Sequence, residues 1–198
     1  RLAARPSRPI RYGMRAFVVF LAFASGCSNQ SEREVPAVQV PAEAVPHPTR
    51  SEDVMIIVAN GTATINGVVF DKKPTLTELQ QIFGPPDRVA DLMNRIHTWD
   101  QLGLGAYERD GVVGSISLWF RPDIFEFVAK QTFAGKLFVE GRMIAAGTEF
   151  KRLGKPFERF GEFGTSVDYM RGPVGVFISA DEETEKVVHS ASVSFYDK

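Results

Sequence analysis

Three histidines, His47, His97 and His189, and one cysteine, Cys27, are the residues most able to do chemistry in this chain. A structural zinc site needs Cys and His at short fixed spacings. None of the three histidines has such a neighbour, and no cysteine follows residue 27. The acidic run Asp181, Glu182, Glu183 and Glu185 lacks the glycine and the alternating oxygen ligands of a calcium loop, and reads as a solvated turn. No metal and no cofactor are expected. Nucleophiles give no better signal. There is no Gly-x-Ser-x-Gly elbow, and Ser115 and Ser117 alternate as residues on the solvent face of a strand do. Gly103 and Gly105 precede a strand rather than a helix, so they bring no helix N-terminus to a phosphate and read as a bend or bulge. Asp100 and Glu108 could form a carboxylate pair, but nothing in their spacing separates them from surface acids. Trp99-Asp100 is the most specific candidate. Its indole either packs a core or meets a partner, and its carboxylate can accept backbone hydrogen bonds at a turn.

Stepping outward, the elements that would position these residues fall after residue 53. "VMIIVAN" is a continuous apolar run suited to a buried strand. Asn66-Gly67, flanked by β-formers, predicts a hairpin. In "TLTELQQIF", Leu76, Leu79 and Phe83 fall on one helical face, Thr75 and Glu78 make a capping box, and Gly84 with two prolines ends the helix. "RIHTWD", "LGAYER" and "VGSISLWF" then read as strands, with Ile116, Leu118 and Phe120 on one face and His97 sharing a face with Trp99.

The order recurs. "KLFVEGRMI" places Glu140-Gly141 where Asn66-Gly67 stood, "TEFKRL" predicts a shorter helix ended by Gly154 and Pro156, and "SVDYM", "VGVFISAD" and "VVHSASVSFY" predict strands. In the last, Val187, His189, Ala191, Val193 and Phe195 are expected on one face. The expected fold is therefore α+β, a globular domain over 54–198 made of two related units, about 54–120 and 136–198, each a hairpin, a short helix and an antiparallel sheet. The connector 121–135 carries Phe125, Phe127 and Phe133, which either cover the junction between the units or form a partner surface.

The chain holds 23 basic and 24 acidic side chains, a balance that points away from nucleic acid. The charges are unevenly spread. Residues 1–27 hold five arginines and no acid, and residues 28–53 hold two arginines against five acids. Residues 27–53 also carry prolines at 36, 41, 46 and 48 and no aromatic residue, so they read as a disordered, extended tether, with His47 solvated within it. With one cysteine there is no intrachain disulfide.

Residues 14–27, "MRAFVVFLAFASGC", combine a short positive start, a nine-residue apolar run too short to span a bilayer, and small residues before Cys27. This resembles a bacterial lipoprotein signal over 14–26, although Ala24 stands where leucine is usual. The resemblance implies a lipid-modified Cys27 that anchors the protein to a membrane, and Ser28 in place of aspartate implies the outer membrane, facing the periplasm. Met14 reads as the start, with 1–13 an upstream over-extension.

"TLTELQQIFGPPDRV", "HTWDQLGLGAYERDG", "ISLWF" and "FAGKLFVEG" together resemble a bacterial family known only as domain of unknown function 7738, over roughly residues 60–198. Trp99 to Gly103 and Phe133 to Leu137 carry most of that likeness. A looser similarity is to small outer-membrane lipoproteins of the barrel-assembly type, which act as adaptors. The expectation is an envelope lipoprotein that is not an enzyme and binds protein, as an adaptor or a toxin-immunity protein, with Trp99, Asp100, Phe125 and Phe127 as candidate partner contacts. The alternative is an enzyme or small-ligand binder with an unrecognised site.

Overall fold

In a computed structural model, the described residues are 46–122, 125–160, 166–180 and 187–197, all within the compact unit Ala44–Lys198. Cys27, the leader, the tether up to residue 45 and the acidic run 181–185 lie outside the described residues. Strands β1 (Met55–Ala59), β2 (Thr62–Ile65) and β3 (Val68–Phe70) are followed by helix α1 (Leu76–Phe83). Then come β4 (Arg88–Asp91), β5 (Arg95–Trp99), β6 (Leu104–Arg109) and β7 (Val112–Trp119). After the connector come β8 (Lys136–Val139) and β9 (Arg142–Ile144), a 3-10 turn (Phe150–Arg152), and β10 (Glu158–Phe160), β11 (Ser166–Arg171), β12 (Val174–Ala180) and β13 (Val188–Phe195).

Local chemistry accounts for most of these elements. Four hairpins turn through two residues that are both left-handed: Asn60-Gly61, Asn66-Gly67, Asp110-Gly111 and Glu140-Gly141. That backbone twist matches the right-handed twist of paired strands, and Gly at the second position adopts it without steric cost. In α1, the Thr75 hydroxyl accepts from Glu78 N at 3.2 Å and the Glu78 carboxylate accepts from Thr75 N at 2.7 Å. Those bonds from Thr75 hold the Glu78 carboxyl below the usual carboxylate range. Gly84, at φ 79°, ends the helix.

The strands form two sheets. The smaller runs β3-β2-β1-β8-β9, and in it β1 and β8 pair in parallel, with Ile56 opposite Leu137 and Val58 opposite Val139. The larger runs β10-β11-β12-β13-β7-β6-β5-β4, with every pairing antiparallel. Inward residues of both sheets join α1 in one apolar core. It includes Ile56, Val58, Leu79, Leu104, Ile116, Leu118, Leu137, Ile178 and Val193, all fully buried. Burying each such side chain contributes about 1.5–3 kcal/mol, so this core dominates the favourable side of folding.

Several expectations need correction. The α+β reading reduces to a mostly β domain with one short α-helix. "TEFKRL" forms a three-residue 3-10 turn: Phe150 and Leu153 are both buried, but the backbone leaves helical geometry at Leu153, where ψ is 76°. β1 is not buried on both faces: Ile56 and Val58 point inward while Met55, Ile57 and Ala59 point out. The alternation expected for β13 slips. Val188 and then Ala191, Val193 and Phe195 are buried, because the pairing with β12 shifts register at Ser179/Ala180 and leaves His189 as the extra residue. Strands β4 and β10, short and charged, carried no clear signal. The end of the tether is also built into the body: Ser51 is buried and its hydroxyl donates to Leu102 O at 2.7 Å. His47 is exposed, with its ring 3.4 Å from Ile82 O.

Candidate functional site

Trp99 closes β5 and is buried, packing edge-on against Phe83 of α1 at 5.5 Å between ring centroids. Its indole N–H donates to Gly84 O at 2.9 Å. Asp100 starts the turn that follows and is also buried. A buried carboxylate must be paired, and this one is met by Arg88 of β4. Arg88 Nε donates to Asp100 Oδ2 at 2.9 Å and Arg88 Nη2 to Asp100 Oδ1 at 2.7 Å, a two-pronged ion pair. The Arg88 guanidinium holds the Asp100 carboxyl below the usual range, and Asp100 in turn raises Arg88.

The pair reaches the connector. Arg88 also donates to the carbonyls of Glu126 and Val128, and Asp100 Oδ1 accepts from Lys130 N at 3.0 Å. Thr98 on β5 donates its hydroxyl to Phe127 O at 3.1 Å, and Gln131 N donates to Asp100 O at 3.2 Å. Beneath the connector, Trp119 packs with Val128, Ala129 and Phe127 on the outer side of the larger sheet. Gly105 makes room for the Trp119 ring, since a Cβ there would stand 2.6 Å from it.

This fixed loop displays two phenylalanines. Phe125 and Phe127 stack at 5.4 Å between centroids and 8° between planes, and Phe125 is 56% exposed. Phe133 does something else: it is fully buried and meets Phe120 edge-on at 5.7 Å. Of the four sequence-predicted contact residues, Phe125 thus lies at the surface with the half-buried Phe127 beneath it, while Trp99 and Asp100 are buried and hold the loop. Arg88 was the residue that sequence reasoning missed. It stands twelve positions before its carboxylate, and only the pairing of β4 with β5 brings the two together.

Two other polar clusters are present. His97 is buried, and its Nε2 lies 3.1 Å from the buried carboxylate of Glu108. Glu108 also accepts from Gly111 N and lies 3.7 Å from Arg95 Nη1. The bond from Gly111, with that from His97, keeps the Glu108 carboxyl below its ordinary range. An open groove of about 460 Å³ lies beside Glu108, with Lys73, Asn94, Arg109, Asp110 and Asp197 along it. Asp100 and Glu108 serve separate clusters and do not form a carboxylate pair. In the second cluster, Glu140 at the β8–β9 turn accepts from Tyr169 Oη, from Asn60 N at 3.1 Å and from Arg171 Nη1 at 3.3 Å, tying the two sheets together. Burial first, and the hydrogen bond to Glu140 second, push the Tyr169 phenol up to about 12.

Among the described residues, no group of three or more His, Cys, Asp or Glu is placed to hold a metal ion, and no helix is long and apolar enough to cross a membrane. The molecule is thus a mostly β, two-sheet domain that holds an aromatic loop on its larger sheet. It belongs to the family Domain of unknown function (DUF7738), which matches residues 55–154, from the first residue of β1 to Gly154 after the 3-10 turn. That match begins earlier and ends sooner than the extent read from the sequence. No curated protein and no solved structure matches the chain.

Proposed function

We propose that this protein is a lipid-anchored component of the bacterial envelope that works by binding another protein, as an adaptor or a toxin-immunity protein, and not by catalysis. The observation that carries the binding reading is the solvent-facing Phe125 stacked on the half-buried Phe127, on a loop fixed by Arg88 and Asp100. Aromatic side chains held in place before contact lose little entropy on binding and are enriched at interface hot spots. Trp99 and Asp100 then serve the interface by positioning the loop. Anchorage rests on the sequence around Cys27 and places the protein at the outer membrane, facing the periplasm.

The test is crosslinking in the native host at native expression, followed by affinity capture and mass spectrometry, on wild type and on Phe125→Ala/Phe127→Ala. One reproducible protein partner is expected with wild type, and at least about tenfold less of it with the double variant, the loss of ~1.4 kcal/mol or more that two truncated contacts imply. Equal capture by both proteins, at equal thermal stability, would remove the Phe pair from the interface. Capture of no partner would turn attention to the alternative reading of a small-ligand binder or enzyme, for which the groove beside Glu108 is the place to look. Anchorage is checked separately: Cys27→Ala should move the protein from the membrane fraction to the soluble periplasm.

The domain also reads as a duplication. What supports this is the order of its strands. β2-β3-α1-β4-β5-β6-β7 and β8-β9-(3-10 turn)-β10-β11-β12-β13 run outward in opposite senses from the β7–β13 pair in one sheet and from β1 in the other. An experimentally determined structure in which the two halves fail to superpose strand for strand would refute it.

A further inference from the structure

The outer face of the smaller sheet is built differently from the rest of the surface. Alternation along its strands turns Met55, Ile57 and Ala59 of β1, Thr62 and Thr64 of β2, Val69 of β3, Lys136 and Phe138 of β8 and Met143 of β9 away from the core. Register aligns five of them in one row across the whole sheet. Val69 lies opposite Thr64, Thr64 opposite Ile57, Ile57 opposite Phe138, and Phe138 opposite Met143. Val69 is 63% and Met143 53% exposed. The strand positions of this face carry one charge, that of Lys136, and no carboxylate.

We infer that this face rests on a lipid bilayer surface. Its size argues for that occupant over a second copy. Five strands about 4.8 Å apart and four residues of about 3.3 Å give roughly 300 Å². A stable protein pair needs about 800 Å² from each partner. A bilayer sets no such threshold, because flexible apolar side chains such as Met and Phe enter the headgroup boundary singly, and a lone lysine beside them favours anionic lipid. The position of the chain fits as well. The chain passes directly from the buried Ser51 turn into β1, the middle strand of the sheet, and Cys27 stands 28 residues before Met55. Fully extended, a chain of that length reaches no further than about 100 Å. This step rests on the anchorage at Cys27 proposed above. Held within that reach, a face with weak intrinsic affinity meets the membrane at an effective concentration on the order of millimolar.

Methionine oxidation reads the contact without any label. After residue 27 the chain has four methionines: Met55 and Met143 on this face, and Met93 and Met170 elsewhere, 99% and 61% exposed. Protein spanning residues 27–198 is coupled through Cys27, its sole thiol, to maleimide lipid in phosphatidylethanolamine/phosphatidylglycerol vesicles. Oxidation by dilute hydrogen peroxide, which transfers one oxygen atom to each thioether and leaves water, is followed residue by residue by mass spectrometry. The comparison is the same protein with Cys27 capped and no vesicles. Oxidation of Met55 and Met143 should slow at least about threefold on the vesicles, while Met93 and Met170 keep their rates. Val69→Glu, at an exposed position of the same row, should restore the Met55 and Met143 rates. Unchanged rates for Met55 and Met143 on the vesicles would overturn the inference. So would protection in free solution that grows with protein concentration, which would make a second copy the occupant. Because the coupling is chemical, the result does not depend on whether cells lipidate Cys27, and failure of docking is distinguishable from failure of anchorage.

Discussion

Asp100→Asn tests how the aromatic loop is held. The side chain keeps its shape and loses its charge. In the native protein Asp100 receives two charge-assisted bonds from Arg88, at 2.9 and 2.7 Å, and one backbone bond from Lys130 at 3.0 Å. An asparagine can keep its carbonyl oxygen for one of these donors, but its amide then points N–H groups at another. One strong bond is lost and a second becomes neutral, and hydrogen bonds to charged groups are worth about 1.5–3 kcal/mol each. Full disruption of a buried pair costs about 3–5 kcal/mol. The Arg88 side chain is 34% exposed, however, so water recovers part of that loss. The expected destabilisation is about 2–3 kcal/mol, which lowers Tm by roughly 5–10 °C for a domain of this size. Urea unfolding measures the energy, and amide hydrogen exchange over 125–131 shows whether the loop is freed. Arg88→Met alone should cost a similar amount, and the double variant much less than the sum, because both act on one interaction. A change under ~0.5 kcal/mol, or strict additivity, would refute the idea that this pair holds the loop.

Stability at high pH should depend on Tyr169. Its phenol is raised to about 12 in the folded protein, against about 10 in an unfolded chain. A group raised in this way contributes stability that is complete below about pH 10 and is lost as pH rises towards 12. Tyr169→Phe should flatten the decline in urea midpoint over that range, though not abolish it, because burial raises Tyr107 as well; an unchanged profile would show that burial beside Glu140 does not raise Tyr169. Gly103→Ala should be severe, at about 3 kcal/mol or more, because φ is 71° and the new methyl would sit 2.3 Å from Phe133 N, a backbone atom that cannot yield. Gly111→Ala, at φ 80° with no atom within 4 Å, should cost only about 1–2 kcal/mol by urea unfolding.

Features confined to a few consecutive residues were legible beforehand. The turns at Asn66-Gly67 and Glu140-Gly141, the Thr75–Glu78 capping box, the stop at Gly84 and the inward set Ile116, Leu118 and Phe120 all follow from local sterics and alternation. Turns of the same kind at Asn60-Gly61 and Asp110-Gly111 were equally readable and were passed over. "TEFKRL" misled because a helix-stop signature resembles that of any turn before a proline; with so few residues between Thr148 and Gly154, the chain makes a single 3-10 turn.

The sequence by itself determined the Asn66-Gly67 and Glu140-Gly141 hairpins, the helix, the inward face of β7 and the presence of two phenylalanines on a connector. Each depends on neighbours within a few positions, where backbone preference and side-chain period suffice. Tertiary structure alone decided that β1 pairs in parallel with β8 across the connector, that Arg88 finds Asp100 and His97 finds Glu108, and that Phe133 is buried while Phe125 is exposed. It also lined up Val69, Ile57, Phe138 and Met143 in one row. Those outcomes join residues far apart along the chain. They are set by the free energy of closing one apolar core, to which no single stretch of the sequence holds more than a part.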